Sequence, residues 1–164
     1  MRSLFRIARV PFADDLTGED ARRIGGRWSS RGVAVIHASE SAAIASLEIL
    51  VHVVDAQDLP RDLRLVELEL DPQAGEIEEM DTGRLPKNWR DVLSPASLKR
   101  FGDDWAARAS SIGLRVPSVV MPHGYECNIL LNPIFPDFEN FVRILRIDPF
   151  AFDPRIPLAP PRDS

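Results

Sequence analysis

The segment Gly25-Gly26-Arg27-Trp28-Ser29-Ser30-Arg31-Gly32 has the composition of a loop that holds an anion. Paired glycines lack the Cβ atoms that would keep a ligand off the backbone. Arg27 offers a planar, permanently charged fork that matches a phosphate. Trp28 supplies an aromatic face for a flat ring, and Gly32 lets the chain turn out again. Ordinary surface turns use the same residue types, so the segments on either side carry the decision.

Upstream, Leu4 to Val10 alternates as a strand does, and Thr17 to Ile24 forms a short polar helix or turn leading into the loop. Downstream, Val33 to His37 is a β-branched, apolar run of strand length. Ser39 then caps a helix, with Glu40 in its first turn, running to about Val54. Ile44, Leu47, Val51 and Val54 recur at helical spacing and are expected to face the core. Arg64 to Leu70 is a half-exposed strand with Val66, Leu68 and Leu70 on one face. A helix is predicted from about Pro95 to Ser110, and strands at Val116 to Met121, Ile129 to Leu131 and Phe141 to Ile147. The last of these places Phe141, Leu145 and Ile147 on one face. The pattern predicts one α+β domain over 1–155, with a proline-rich tail at 156–164 adding nothing to the core.

The chain has 164 residues, 45% of them hydrophobic, enough for one globular core. Its net charge of −5 argues against direct nucleic-acid binding. Arginines nevertheless gather near the N-terminus, at Arg2, Arg6, Arg9, Arg22, Arg23, Arg27 and Arg31. A local positive pocket suits a small anion better than a polymer. Cys127 is the sole cysteine, so no internal disulfide forms and a reducing compartment is expected. Arg6 and Arg9 interrupt the N-terminal apolar run, which is therefore not expected to be a secretory h-region, and no segment has membrane-spanning length. These features predict a soluble, cytoplasmic protein without a membrane role.

Glu48 lies in the best helix, on a stripe with Ala45 and His52 and close to the small Ser41. It reads equally as a carboxylate facing a ligand or as a boundary glutamate paired with His52. Ser118 interrupts an apolar run, so its hydroxyl must find a partner, either a backbone carbonyl or a ligand. His37 closes the strand after the loop. No cysteine–histidine spacing suggests zinc, the three histidines share no metal-binding spacing, and no metal is expected. Gly25-Gly26 lacks the dinucleotide fingerprint, and no phosphate-binding loop or nucleophile elbow is present.

Taken in order, these residues resemble the RES-domain toxins. The markers are Gly25-Gly26-Arg27-Trp28-Ser29, the Ala45-Ser46-Leu47-Glu48-Ile49-Leu50-Val51-His52 helix, Trp89, Phe101-Gly102-Asp103-Asp104-Trp105, Val116-Pro117-Ser118 and Asn128-Ile129-Leu130-Leu131-Asn132-Pro133. Pro149-Phe150-Ala151-Phe152-Asp153-Pro154-Arg155 closes the series, so the likeness spans essentially the whole chain. It implies an ADP-ribosyltransferase-like split, mixed or antiparallel β-sheet with flanking helices. It also implies NAD⁺ as substrate, cleaved at the nicotinamide–ribose bond, with Arg27, Glu48 and Ser118 as the family's namesake set. Arg27 would clamp the diphosphate beside Gly25 and Gly26, and Glu48 would sit beneath the ribose. Ser118 would hold a ribose hydroxyl or the carboxamide, with His37 and Trp28 on the nicotinamide side and Asn132 among the binding residues.

Inorganic phosphate as nucleophile makes a phosphorylase and needs a second cation, for which Arg31 is the first choice; water makes a glycohydrolase. A protein acceptor makes an ADP-ribosyltransferase, aimed at a nucleotide-synthesis enzyme of the phosphoribosyl pyrophosphate synthetase kind. A non-catalytic interaction module is the reading from a different class. The resemblance further implies a helix-turn-helix antitoxin of the Xre type as partner, and is compatible with a homodimer inside that complex. Two positions depart from the family: His37 stands where tyrosine is usual, and Phe135 where a histidine follows Asn-Pro.

Overall fold

A computed structural model describes residues 1–53, 59–93 and 96–156. Among the described residues, seven strands form one sheet: β1 (Arg2–Arg9), β2 (Ile36–Ser39), β3 (Leu63–Leu70), β4 (Glu78–Glu79), β5 (Gly113–Pro117), β6 (Cys127–Leu131) and β7 (Val142–Pro149). Their order across the sheet is β4-β5-β6-β2-β1-β3-β7. Only the β4–β5 pair is parallel.

The sheet is divided. β1 pairs with β3 along its whole length, from Arg2↔Leu70 to Arg9↔Leu63. β2 pairs with β6 throughout, from Ile36↔Leu131 to Ser39↔Asn128. Between these two ladders β1 and β2 meet at a single pair, Phe5↔Ser39, and then diverge. The split, mixed sheet with flanking helices expected of this sequence is therefore present. The split itself is where the site forms.

Packing follows the period-two alternation of the strands. Leu4, Ile36, Ala38, Val66, Leu68, Ile129 and Leu131 fill one core cluster. Leu114, Val116 and Leu130 pack instead against α3 (Ala96–Arg108), which presents Leu98, Trp105 and Ala106. The helix α2 (Ala42–Leu50) covers a third, smaller cluster through Ala45, against Ile7 and Leu63. A short helix, α1 (Glu19–Ile24), leads into the glycine loop, and a single turn, α4 (Phe138–Phe141), precedes β7.

Several boundaries depart from the sequence expectation. Ser39 is not a cap, because it continues β2; Ser41 caps α2 by accepting a bond from the Ile44 amide at 3.2 Å. Glu40 therefore precedes the helix and binds Arg115. The helix ends at Leu50 with Val51 as its C-cap, leaving Val51 57% exposed; Val54 lies outside the described residues. The strand expected over Val116 to Met121 instead runs over β5 and stops at Pro117. Phe141 falls in α4, and a bulge at Leu145 shifts β7 by one residue, so Glu67 faces Arg146 but Leu68 faces Ile144. Val142 is buried while Leu145 is 46% exposed, reversing the expected face. The expected proline-rich tail lies outside the described residues from 157 onward.

Helix α3 crosses the glycine loop at Gly102. A Cβ there would lie 1.7 Å from the Trp28 carbonyl oxygen, so only glycine permits the approach. The next residue, Asp103, accepts a bond from the Ser30 amide at 2.8 Å, fixing the loop to the helix. Gly102→Ala would ordinarily help a helix, but here overpacking should cost about 3 kcal/mol or more. Denaturant unfolding checks this; a midpoint at or above the parent's contradicts the packing.

Candidate active site

The divergence of β1 and β2 leaves a cavity of about 560 Å³, within the range of small-molecule sites, about 300–1,000 Å³. Its walls come from β1, β2, the Gly25–Trp28 loop, one face of α2 and the residues around Pro117 and Asn128. Arg27 and Glu48, distant in sequence, both line it. Glu48 is close enough for its negative charge to act on the Arg27 guanidinium.

The loop places Arg27 through its glycines. Gly25 ends α1 at φ 76°, a left-handed geometry that favours glycine. Gly26 donates to the Ser29 carbonyl at 2.8 Å, closing a tight turn around Arg27 and Trp28. A Cβ on Gly26 would stand 3.1 Å from His37 Nε2, so the glycine makes room for the histidine ring. The Arg27 guanidinium is anchored by carbonyls, not by a carboxylate. Nη1 donates to Trp89 O at 2.9 Å and to Asp91 O at 3.1 Å, and Nη2 donates to Asp91 O at 3.1 Å. Partial burial lowers its pKa, and Glu48 and Asp91 oppose the shift.

Helix α2 turns Glu48 toward the cavity, one turn beyond the buried Ala45. Its Oε1 accepts two bonds, from Ser118 Oγ at 2.9 Å and from Asn128 Nδ2 at 2.5 Å. The boundary ion pair with His52 does not form; His52 lines the cavity separately. Ser118 is 1% exposed, just beyond the strand end at Pro117. Its oxygen accepts from the Val120 and Met121 amides at 3.1 and 3.2 Å. Its partner is thus the Glu48 carboxylate, and it reaches the cavity only through that residue.

His37 lines the cavity from β2, exposed on the cavity side and surrounded by protein. Confinement, together with the positive charge of Arg6, drives its pKa down to about 4. Arg6 itself lines the cavity from β1. It donates to Asp15 O at 3.0 Å and to Phe12 O at 2.7 Å. Burial lowers its pKa, with Asp15 and Asp20 opposing.

Of the residues singled out in the sequence, Arg31 and Asn132 lie elsewhere, and Trp28 lines the cavity but is almost wholly buried. Trp28 is 3% exposed and packs with Leu98 and Trp105, so it meets the cavity over a small area only. Arg31 is exposed, with a long 3.4 Å bond to the Ile24 carbonyl, and does not line the cavity. Asn132 is fully buried; it donates to Ala106 O at 2.9 Å and accepts from the Ile134 amide, tying β6 to α3. The sequence reading passed over Arg6 and Asn128. Asn128 was visible as a polar residue on one face of an otherwise apolar strand. Arg6 was one arginine among seven near the N-terminus. Cys127 is buried, and burial pushes its thiol up, away from nucleophilic duty.

A split-sheet α+β fold with a cleft between its halves, lined by Arg27 and Glu48, defines the class. Residues 3–153 match the RES domain, and the chain belongs to that family. It is 37% identical to a Prs ADP-ribosylating toxin from Sphingobium sp. (strain YBL2), over 94% of this chain and 96% of the relative. A second relative, a Toxin Res from Yersinia enterocolitica, is 36% identical over 93% of this chain and 98% of its own. In fold the chain is similar to a chain of the M. tuberculosis MbcT–MbcA toxin–antitoxin complex. That match has a TM-score of 0.66 and 17% identity, and covers 89% of this chain and 82% of the other. Among the described residues no helix is long and apolar enough to cross a membrane.

The depressed pKa of His37 makes acid destabilising. Between its ordinary value of 6.5 and about 4, the unfolded chain takes up a proton that the folded chain refuses. Stability contributed by the neutral ring is complete above that window and falls as pH drops through it. Urea unfolding at pH 7, 5 and 4 should show His37→Gln losing less stability than the parent. Identical pH dependence would contradict the placement.

Proposed function

We propose that this RES-domain toxin consumes NAD⁺ by breaking the bond between nicotinamide and ribose, with inorganic phosphate as the nucleophile. The observation that carries the reading is the convergence of Arg27 and the doubly held Glu48 on one cleft. Glycosidic cleavage of this kind builds positive charge on the ribose. A carboxylate already fixed beneath that ring stabilises the charge without reorganising. Glu48 takes this role. Arg27, preorganised by two carbonyls, takes the diphosphate, because a charge-assisted bidentate contact outcompetes neutral acceptors.

Phosphate oxygen forms the new bond to the ribose anomeric carbon as the carbon–nitrogen bond breaks. Nicotinamide leaves as a neutral molecule, and the product is ADP-ribose carrying a phosphate on that carbon. A second anion requires a second cation in the cavity. Arg6 lines it and Arg31 does not, so Arg6 replaces Arg31 in this role.

The Sphingobium relative's name favours a second reading, transfer of ADP-ribose to a protein side chain, with a nucleotide-synthesis enzyme as acceptor. Because the fold neighbour was solved with an antitoxin, we assign this chain an antitoxin partner; its Xre helix-turn-helix type rests on the resemblance to the RES toxins.

The test is nicotinamide release from NAD⁺ by purified protein, with and without phosphate. Phosphate-dependent release supports the phosphorylase, and label transfer from tagged NAD⁺ to a lysate protein supports the transferase. No release and no labelling would leave a non-catalytic interaction module. Glu48→Gln should fold normally and lower turnover about 100-fold or more. Turnover at the parent rate would remove Glu48 from the chemistry.

A further inference from the structure

We propose that Asn128 is a positioning residue for the Glu48 carboxylate, and that the buried hydroxyl of Ser39 holds Asn128 in its working orientation. The assignment rests on Glu48 acting as described above. Ser39 and Asn128 are direct partners across β2 and β6, on the face of the sheet that meets the cavity. Ser39 is buried, and its Oγ donates to Asn128 Oδ1 at 2.7 Å. The Asn128 Nδ2 donates in turn to Glu48 Oε1 at 2.5 Å.

The direction of this relay follows from the chemistry of its members. A carboxylate only accepts, so the amide must turn its NH₂ group to Glu48. Its carbonyl then faces Ser39, whose one hydroxyl proton has that carbonyl as its acceptor. Reversing the amide would set two acceptor oxygens against each other in a partly buried place. The carboxylate therefore sets the direction, and the Ser39 hydroxyl, free to donate, satisfies the amide carbonyl and anchors it in that orientation.

Two donors on one oxygen have a geometric consequence. Ser118 and Asn128 reach Oε1 from two different segments, the turn after β5 and strand β6. A carboxylate held by one bond can pivot about it; one held on the same oxygen from two directions cannot without breaking a bond. Among the described residues Oε2 has no such partner. The relay thus leaves Oε2 as the oxygen presented to the ribose. The Ser118 hydroxyl is strengthened as a donor because its own oxygen accepts two backbone amides.

The test pairs kinetics with a readout that needs no turnover. Asn128→Ala should lower kcat for nicotinamide release about tenfold to a hundredfold, with KM for NAD⁺ within about twofold of the parent. Added to Glu48→Gln, the same substitution should cost almost nothing further, because no carboxylate remains to be held. Equal losses in both backgrounds, or a raised KM with kcat retained, would overturn the assignment. In NMR spectra the Asn128 side-chain amide should show one proton shifted well downfield, and Ser39→Ala should broaden the pair as the amide begins to flip. Solvent-like shifts in the parent would overturn the relay whatever the substrate. The expected spectra from a protein inert toward NAD⁺ would overturn the proposed function and the kinetic role together, leaving only the hydrogen-bond relay.

Discussion

The architecture turns on how little joins the two halves of the sheet. β1 belongs to one complete ladder and β2 to another, and they share the single pair Phe5↔Ser39. Had pairing continued, the strands would have filled the space that is now the cavity. Divergence instead leaves His37 and Arg6 lining the cavity from a rigid frame, since each strand is fully paired on its other side. Sites built on paired strands hold geometry better than sites on loops, which suits chemistry that depends on fixed charge placement. The pair that joins the halves also includes Ser39, so the residue that closes the split sits beside the residue that helps hold Glu48.

Electrostatics in the cleft follows a consistent pattern. Arg27 and Arg6 are both held by backbone carbonyls, and neither makes an ion pair among the described residues. Elsewhere arginines are paired with acids, as Arg115 is with Glu40 and Arg143 with Glu69. An arginine held by neutral acceptors keeps its charge available to an incoming anion, whereas one locked to a carboxylate does not. The lowered pKa of His37 fits the same arrangement, because desolvation and the charge of Arg6 both disfavour a further positive charge there. Glu48 supplies the opposite sign where positive charge would grow on a sugar.

Much of this was legible in the sequence, for identifiable reasons. Strict alternation located β3, and the paired glycines located the loop carrying Arg27. The ordered markers identified the family and its divided sheet. What sequence missed depended on tertiary contacts. Ser39 and Ser41 are equally good caps locally; only strand pairing assigns Ser39 to β2. Trp28 resembles an open ligand platform, but packing against α3, whose close approach to the Trp28 carbonyl Gly102 permits, leaves it 3% exposed at the cavity wall. Asn128 and Asn132 lie four residues apart in one marker, and the end of β6 between them sends one to the cavity and the other into the core. Arg6 and Arg31 are alike in composition and differ only in which strand or loop aims them. The bulge at Leu145 leaves no mark in an apolar–polar pattern, yet it reverses a face.

The central claim is that one dinucleotide spans the cleft from the residue 27 guanidinium to the residue 48 side chain. The most direct measurement is a crystal structure of Glu48→Gln soaked with NAD⁺. The account requires the nicotinamide ribose against the residue 48 amide and a phosphate oxygen within hydrogen-bond reach of Arg27. Density for NAD⁺ that touches only one of these residues, or neither, would contradict it.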